Sequence, residues 1–390
     1  MTVTDTSPAD FPGASTSSIT RIEAWRVAFP VEDRRDAAAS ADADPFNAAS
    51  PTFVEIESLI LRVTTSDGIH GWGECFGHRS NPATMAALQS MVIPFALGRG
   101  DDPQEFSTAA SRTFHPFGRG GPVAYAASGV DIALWDIAAK RAGLPLRRLL
   151  NVETATDEIT GYASLPSFMG ESAPLQEAVA ALRERGFTHF KLHETASKPM
   201  AELIAAEPDL SIATDMNGHW DHRDIETVIA EYAHLGLWFL EEPAFPVSDM
   251  GAMAALREAG ILTAAGENAG DVEDLLHPST LAGLSIIQPS AGKIGGVSAL
   301  ERIYAATSGG SQQVMPHCYY YGPAFFATAQ VIAAHPEYPQ IMESPYFNWL
   351  DTLHPLQQCT ANVTLPAEVG LGFDMNVAAV GERIIDSFSS

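Results

Sequence analysis

Leu210–Asn268 reads LSIATDMNGHWDHRDIETVIAEYAHLGLWFLEEPAFPVSDMGAMAALREAGILTAAGEN, and three acids in it, Asp215, Glu241 and Glu267, each close a separate apolar run. The acids recur at intervals of 26 residues, as their numbers show. A strand, a helix and two loops take roughly that length, because parallel strands need a helical crossover. Consecutive parallel strands of a barrel bring their C-terminal ends together, so carboxylates far apart in sequence meet at one point. Such carboxylates repel one another unless a cation lies between them, and hard oxygen ligands select Mg²⁺ or a similar ion.

The same texture extends outward from about residue 155. Short apolar runs ending in polar residues alternate with helical segments such as PLQEAVAALRERG (174–186) and DIETVIAEYAHLG (224–236). The strand-like runs are ITGYAS, THFKLHE, LSIATDMNG, LWFLEEP, LTAAGENAG, LSIIQPSAG, QQVMPHCYY and QIMESPY, eight in all. Eight such units predict a barrel with its chemistry at the C-terminal strand ends, and a modified seven-helix barrel gives the same pattern. Upstream, ITRIEAWRV (19–27), FVEIESLILRVTT from Phe53 and HGWGEC (70–75) predict an antiparallel meander. Pro30–Thr52, rich in Ala, Asp and Pro, predicts a long loop of the lid type. Residues 82–150 predict helices, the clearest being AASGVDIALWDIAAKRAGLPLRRLL (126–150), broken by Gly143 and Pro145. After Leu365 no further unit follows, and the tail is expected to return to the first domain.

The bulk numbers suit this reading. A chain of 390 residues is too long for one ordinary core and fits a large barrel with a smaller domain. An apolar fraction of 46% with 18% charged residues is that of a globular protein. Net charge is −26, which argues against nucleic acid and anionic membranes as partners and obliges an anionic substrate to find a local positive site. Cys75, Cys318 and Cys359 have neither metal-ligand nor redox spacing, and the odd count predicts a reduced, cytoplasmic protein. The first 18 residues lack the basic and apolar regions of a secretory signal and are expected to be a flexible tail. No run reaches the length of a membrane span.

Further residues at the strand ends carry chemistry. Lys191 and His193, two apart, share a face and point into the barrel mouth. His317 closes the seventh run and Glu343 the eighth; Gln288, Ser290 and Lys293 lie at or after the sixth. A carbon acid bound between His193 and His317 meets a candidate base on each face. Removing a proton α to a carboxylate requires stabilising an enediolate dianion, the work of a divalent ion aided by a lysine and a protonated glutamic acid. The base needs a pKa near neutrality, which a histidine has natively.

With these residues in view the chain resembles the enolase superfamily, and within it the mandelate racemase/muconate lactonizing enzyme group. The resemblance is carried by GWGE (71–74), SGVDIALWDIAAKRAGLPL (128–146), Lys191-X-His193, TDMNG (214–218), EEP (241–243), GEN (266–268), KIGG (293–296), PH (316–317) and Glu343. It implies a modified TIM barrel of the (β/α)7β type over residues 151–365. It also implies an α+β capping domain over 19–150, with 366–390 packing back on it. One Mg²⁺ per subunit, held by Asp215, Glu241 and Glu267, is implied as well, as are a homo-oligomeric state and abstraction of a proton α to a carboxylate. Two departures bear on the reaction. His193 stands where the family commonly has a second lysine, and Ser290 stands where an aspartate usually supports the seventh-strand histidine. We therefore expect His193 as the base and His317 as the acid, with the reverse assignment open, and Lys191 and Glu343 as further catalytic groups.

The expected activity is dehydration of a sugar acid or related hydroxy acid to a 2-keto-3-deoxy acid, within carbohydrate acid catabolism. Racemisation, epimerisation or cycloisomerisation through the same enediolate is the runner-up, and a non-catalytic metal-binding role the third reading. Expected substrate contacts are Arg79 with its neighbour His78, His115 or Arg119 in HPFGRGG (115–121), Asn217, Lys293, Tyr319 and Tyr320. Asn268, Gln288 and Ser290 are expected to orient the groups around them. Tyr319–Tyr321 and Phe325 make the site less polar than a sugar acid prefers, which keeps a smaller or cyclic substrate open.

Overall fold

A computed structural model describes residues 17–32, 55–354, 356 and 358–390. The expected flexible tail lies almost wholly outside the described residues, as does nearly all of the expected lid loop.

The N-terminal part is an antiparallel sheet. Strand Ile19–Glu32 pairs with Glu55–Thr65, which pairs with His70–Cys75. The chain's last strand, Ile384–Ser389, lies on the other edge of Ile19–Glu32, with Glu23 opposite Ser389. Helix Pro122–Ala142 covers one face of this sheet. Its end is set by Gly143, in the left-handed conformation (φ 69°), whose N–H is 3.1 Å from the Lys140 carbonyl. GWGE allows the close approach: a Cβ on Gly73 would stand 1.9 Å from the Gly129 carbonyl oxygen of that helix. Ile22, Leu61, Val63, Val130, Leu134 and Ile137 fill the layer between.

The second unit is a curled parallel sheet. Its strands are, in chain order, Glu158–Ser164, His189–Leu192, Ser211–Asp215, Leu240–Glu241, Thr263–Ala265, Ile286–Ile287, Gln313–Val314 and Ile341–Pro345. We refer to these as barrel strands one to eight. Each pairs with the next up to strand seven, and strand eight pairs with strand one. Strands seven and eight share no ladder among the described residues; there the Cys318 N–H donates to Glu343 Oε2 at 2.9 Å and bridges the seam. Helices follow the first seven strands, whereas strand eight leads to Asn362–Thr364, antiparallel to strand one. This is the (β/α)7β order.

Side chains, not solvent, fill the barrel below its mouth. Tyr162, Ala213, Phe239, Ala264, Ile286 and Met315 form one inward layer, each from a different strand run. Above that plug, at the C-terminal strand ends, the inward positions turn polar.

The two units are clamped together by a buried acid. Glu74 Oε2, from GWGE, accepts from the backbone N–H groups of Gly322 and Ala324, each at 3.0 Å. These open helix Pro323–Ala334, so the carboxylate caps a helix N-terminus of the barrel from the neighbouring unit. Gly296 of KIGG makes a second close contact: with φ 73° it sits where a Cβ would be 2.2 Å from Asp131 Oδ1.

Candidate active site

Register brings the acids together. Asp215 is directly opposite Glu241, which is also opposite Ala264 in strand five. Glu267 follows that strand after Gly266 (φ 140°). One carboxylate oxygen from each of Asp215, Glu241 and Glu267 lies within 4.8 Å of the others. Burial, opposed by Lys191, pushes Asp215 up to about 7 and Glu241 up to about 8, and the neighbouring carboxylates add to both. Burial also acts to raise Glu267, yet His317 and Lys293 hold it well below the usual carboxylate range. Two buried carboxylates whose charged forms are disfavoured, with a third, partly buried one held ionised beside them, form a donor set suited to a hard divalent cation.

Lys191 is the fixed positive charge beneath them. Its Nζ is 3.0 Å from Glu241 Oε2, 2.8 Å from Glu343 Oε1 and 3.8 Å from Asp215 Oδ2. Burial would lower its pKa, but Glu241 and Glu343 outweigh that and raise it well above the ordinary value. Glu343 is correspondingly held as a carboxylate. Burial would raise it, but Lys191 and His317 bring it down to about 2.

Two imidazoles approach the trio from opposite flanks. His193 Nε2 is 3.6 Å from Asp215 Oδ2, and its Nδ1 is 2.6 Å from the Leu165 carbonyl. Burial and Lys191 lower its pKa to about 4, below the near-neutral value expected above of the base, so the ring is neutral and free to accept a proton at neutral pH. His317 Nε2 is 2.7 Å from Glu267 Oε2, and its Nδ1 is 3.0 Å from Ser290 Oγ. Ser290 thus sits against His317.

The other expected residues divide into those gathered here and those left outside. Gln288 Nε2 donates to Glu241 Oε2 at 2.8 Å. Asn268 Nδ2 donates to Glu267 Oε1 at 2.9 Å and to Glu242 Oε2 at 2.9 Å, while its Oδ1 accepts from Lys293. Lys293 Nζ also lies over the Phe76 ring, 4.1 Å from its centroid. The backbone N–H of Asn217, at φ 46°, donates to Asp215 Oδ1. Tyr319 is half-buried, stacked on His317 and edge-on to His78 at 5.0 Å. Tyr320 does not face the mouth: its hydroxyl is 2.5 Å from Ser290 Oγ and accepts from the Gly292 N–H. Arg79 is exposed, and exposed His115 turns its Nδ1 to the Arg112 carbonyl, so neither reaches the cluster. Arg119 ion-pairs with Asp271 and Asp274, tying its loop to the segment after Glu267.

His78, set beside Arg79 as a possible contact, is the better placed of the two. Both its ring nitrogens are buried without a hydrogen-bond partner among the described residues, facing Phe76 and Tyr319. Two acids escaped the sequence reading. Glu242 joins the cluster through Asn268, signalled only by its place beside Glu241. Glu194 accepts from the Phe168 and Gly170 N–H groups and organises the loop above strand one.

The chain matches known proteins over most of its length. Residues 174–379 match the family described as enolase C-terminal domain-like. Residues 34–151 match the mandelate racemase/muconate lactonizing enzyme N-terminal domain. D-galactarolactone cycloisomerase of Agrobacterium fabrum is 27% identical over 365 residues, covering 87% of this chain and 94% of that protein. L-talarate/galactarate dehydratase of Salmonella typhimurium is 25% identical over 357 residues, covering 87% and 85%. A crystal structure of L-talarate dehydratase from a Polaromonas species, complexed with Mg and L-glucarate, superposes with TM-score 0.78 at 21% identity, covering 96% of this chain and 99% of that one. No helix among the described residues is long and apolar enough to cross a membrane.

Proposed function

This chain belongs to the enolase superfamily, in its mandelate racemase/muconate lactonizing branch, and from that premise we propose that it is a Mg²⁺-dependent dehydratase of a sugar acid or related hydroxy acid. The observation that carries this is the flanking of one buried acid trio by two imidazoles, His193 beside Asp215 and His317 beside Glu267. Relatives named as dehydratases of talarate, galactarate and galactonate support the substrate class.

Asp215, Glu241 and Glu267 would hold the ion, with Gln288 and Asn268 orienting two of them. When bound, Mg²⁺ supplies a Lewis acid for the substrate carboxylate. Lys191, pinned between Glu241 and Glu343, adds a permanent charge to stabilise the enediolate. His193 takes the α-proton on Nε2, and His317 is the donor to the departing β-hydroxyl. Loss of water and tautomerisation give a 2-keto-3-deoxy acid. Lys293, Tyr319 and His78 line the approach and contact the rest of the substrate. We further propose that residues 19–150 and 366–390 form the capping domain around the 151–365 barrel. On the same reading the protein is a cytoplasmic homo-oligomer, in keeping with three free, buried cysteines.

Cycloisomerisation is the second reading, favoured by the aromatic wall of Phe76, Tyr319, Tyr321 and Phe347 around His78. A panel of sugar acids and their lactones, incubated with Mg²⁺ and semicarbazide, separates the two. Dehydration yields a trapped keto acid; loss of lactone without a trapped keto acid favours cycloisomerisation. No turnover of either class contradicts both.

A further inference from the structure

We infer that Asp131 and Glu74, both from the N-terminal unit, are positioning residues for the site. Each supplies the cap that a barrel helix lacks, and each thereby fixes one of the two loops that carry Lys293 and Tyr319. The roles of those two side chains as substrate contacts rest on the function proposed above; their placement by the caps does not.

The first N–H groups of a helix have no partner within it, and a side chain at the position before the helix normally supplies one. Helix Met250–Glu258 is served in this way by its own Asp249, which accepts from the Gly251 and Ala252 N–H groups. The helices behind strands six and seven, Gly296–Thr307 and Pro323–Ala334, are preceded by Gly295 and Gly322, which have no side chain to offer. In each case a carboxylate from the other unit takes the place. Asp131 Oδ1 accepts from the Ser298 N–H at 3.0 Å, and its Oδ2 from the Ser298 hydroxyl at 2.5 Å. Glu74 Oε2 serves Gly322 and Ala324 in the same manner. Asp131 and Glu74 are 1% and 2% exposed, so water does not make good the loss of either.

Each cap lies a few residues beyond a side chain of the site. Lys293 is two residues before Gly295, whose N–H donates to Ser128 Oγ at 2.8 Å, one turn ahead of Asp131 in the same helix. On its other side, the Gly292 carbonyl accepts from the Phe76 N–H at 3.2 Å. Lys293 is thus bracketed by contacts with the N-terminal unit, and from that position its Nζ reaches Asn268 Oδ1 at 3.2 Å over the Phe76 ring. Tyr319 is three residues before Gly322, and the intervening Tyr321 N–H is 3.4 Å from Glu74 Oε1. The glycines leave the carboxylates room: a Cβ on Gly322 would stand 3.3 Å from Glu74 Oε2. The wall of the site on the side of strands six and seven is therefore held from outside the barrel, by two acids that touch neither the trio nor the histidines.

The test combines crystal structures of the full chain with Mg²⁺ and kinetics with galactarate and galactonate as probes. Asp131→Ala should displace Gly295–Ser298 and open the Lys293–Asn268 contact while leaving Tyr319 against His317. Glu74→Ala should do the reverse, moving Tyr319–Gly322 and leaving Lys293 in place. Asp131→Asn, which keeps an acceptor for the Ser298 N–H, should restore the wild-type position of Lys293. With a probe that wild-type protein dehydrates, each alanine variant should raise KM about tenfold with kcat within about threefold, the pattern of lost binding. A merely structural role would instead lower the melting temperature and the active fraction, and so the apparent kcat, with KM unchanged. Should the alanine variants fail to fold, Ser128→Ala, which frees only the Gly295 N–H, decides by whether Lys293 loosens. Lys293 unmoved in Asp131→Ala or in Ser128→Ala, Tyr319 unmoved in Glu74→Ala, or a fall in kcat alone overturns the inference. Probes that are not turned over count against the dehydratase reading, and the displacements of Lys293 and Tyr319 then decide alone.

Discussion

Lys191 and Glu343, from barrel strands two and eight, meet at 2.8 Å with both side chains almost wholly buried. Strand one lies between their strands, so the pair spans the mouth beneath the acid trio. Removing one partner leaves a buried charge short of its match, a change that typically costs about 3–5 kcal/mol. Glu343→Gln should accordingly lower stability by that order in denaturant titration. Lys191→Met removes the fixed cation and should reduce kcat by about 10²–10³-fold. Activity within twofold of wild type for Lys191→Met would remove it from the mechanism.

The two histidines should separate kinetically. His193→Ala should abolish both keto-acid formation and exchange of the α-hydrogen in D₂O, a loss of at least about 10²-fold. His317→Ala should lose keto-acid formation yet retain exchange, since abstraction occurs on the other flank. Exchange lost in the His317 variant and kept in the His193 variant would reverse the two roles.

Glu74 predicts a pH dependence of stability. Burial, against hydrogen bonds from Ala324, Tyr321 and Gly322, raises its pKa from 4.5 to about 6. A carboxyl whose folded pKa lies above its unfolded one favours the native state when protonated. Its contribution is full below about pH 4.5 and is lost as pH rises through about 6. The shift corresponds to about 2 kcal/mol. Relative to Glu74→Gln, wild-type protein should lose about that much between these pH values and little more above pH 7. Parallel pH profiles of unfolding free energy for the two proteins would refute this.

Mg²⁺ should stabilise the folded chain by mass action, about 2.7 kcal/mol when the free ion is one hundred times its dissociation constant. Glu241→Gln keeps the volume but removes one charge from the trio, and its melting temperature should not respond to Mg²⁺. An equal rise in both proteins would place the ion elsewhere.

Much of this site was legible in the sequence because barrel strand ends converge. Spacing alone set Asp215, Glu241 and Glu267 on neighbouring strands, and alternation set Lys191 and His193 on one face. Side-chain partners beyond the strand ends leave no periodic trace. Tyr320 follows His317 by three residues yet turns back behind Ser290, and Glu343 pairs with Lys191 across strand one. His78, at a backbone φ of 36°, faces Phe76 and Tyr319, while its neighbour Arg79 is exposed, and nothing in the spacing separates the two. The GWGE motif was visible as a signature, but its acid's task, capping a helix 248 to 250 residues later, requires the packed interface.

Everything chemical here depends on a divalent ion among Asp215, Glu241 and Glu267. Anomalous diffraction from crystals grown with Mn²⁺, a hard stand-in for Mg²⁺, and a hydroxy-acid ligand tests this most directly. The account predicts one strong peak bonded to an oxygen of each of the three carboxylates and to the ligand's carboxylate, with His193 Nε2 facing the α-carbon. Full metal occupancy elsewhere, with no peak among these three side chains, would contradict it.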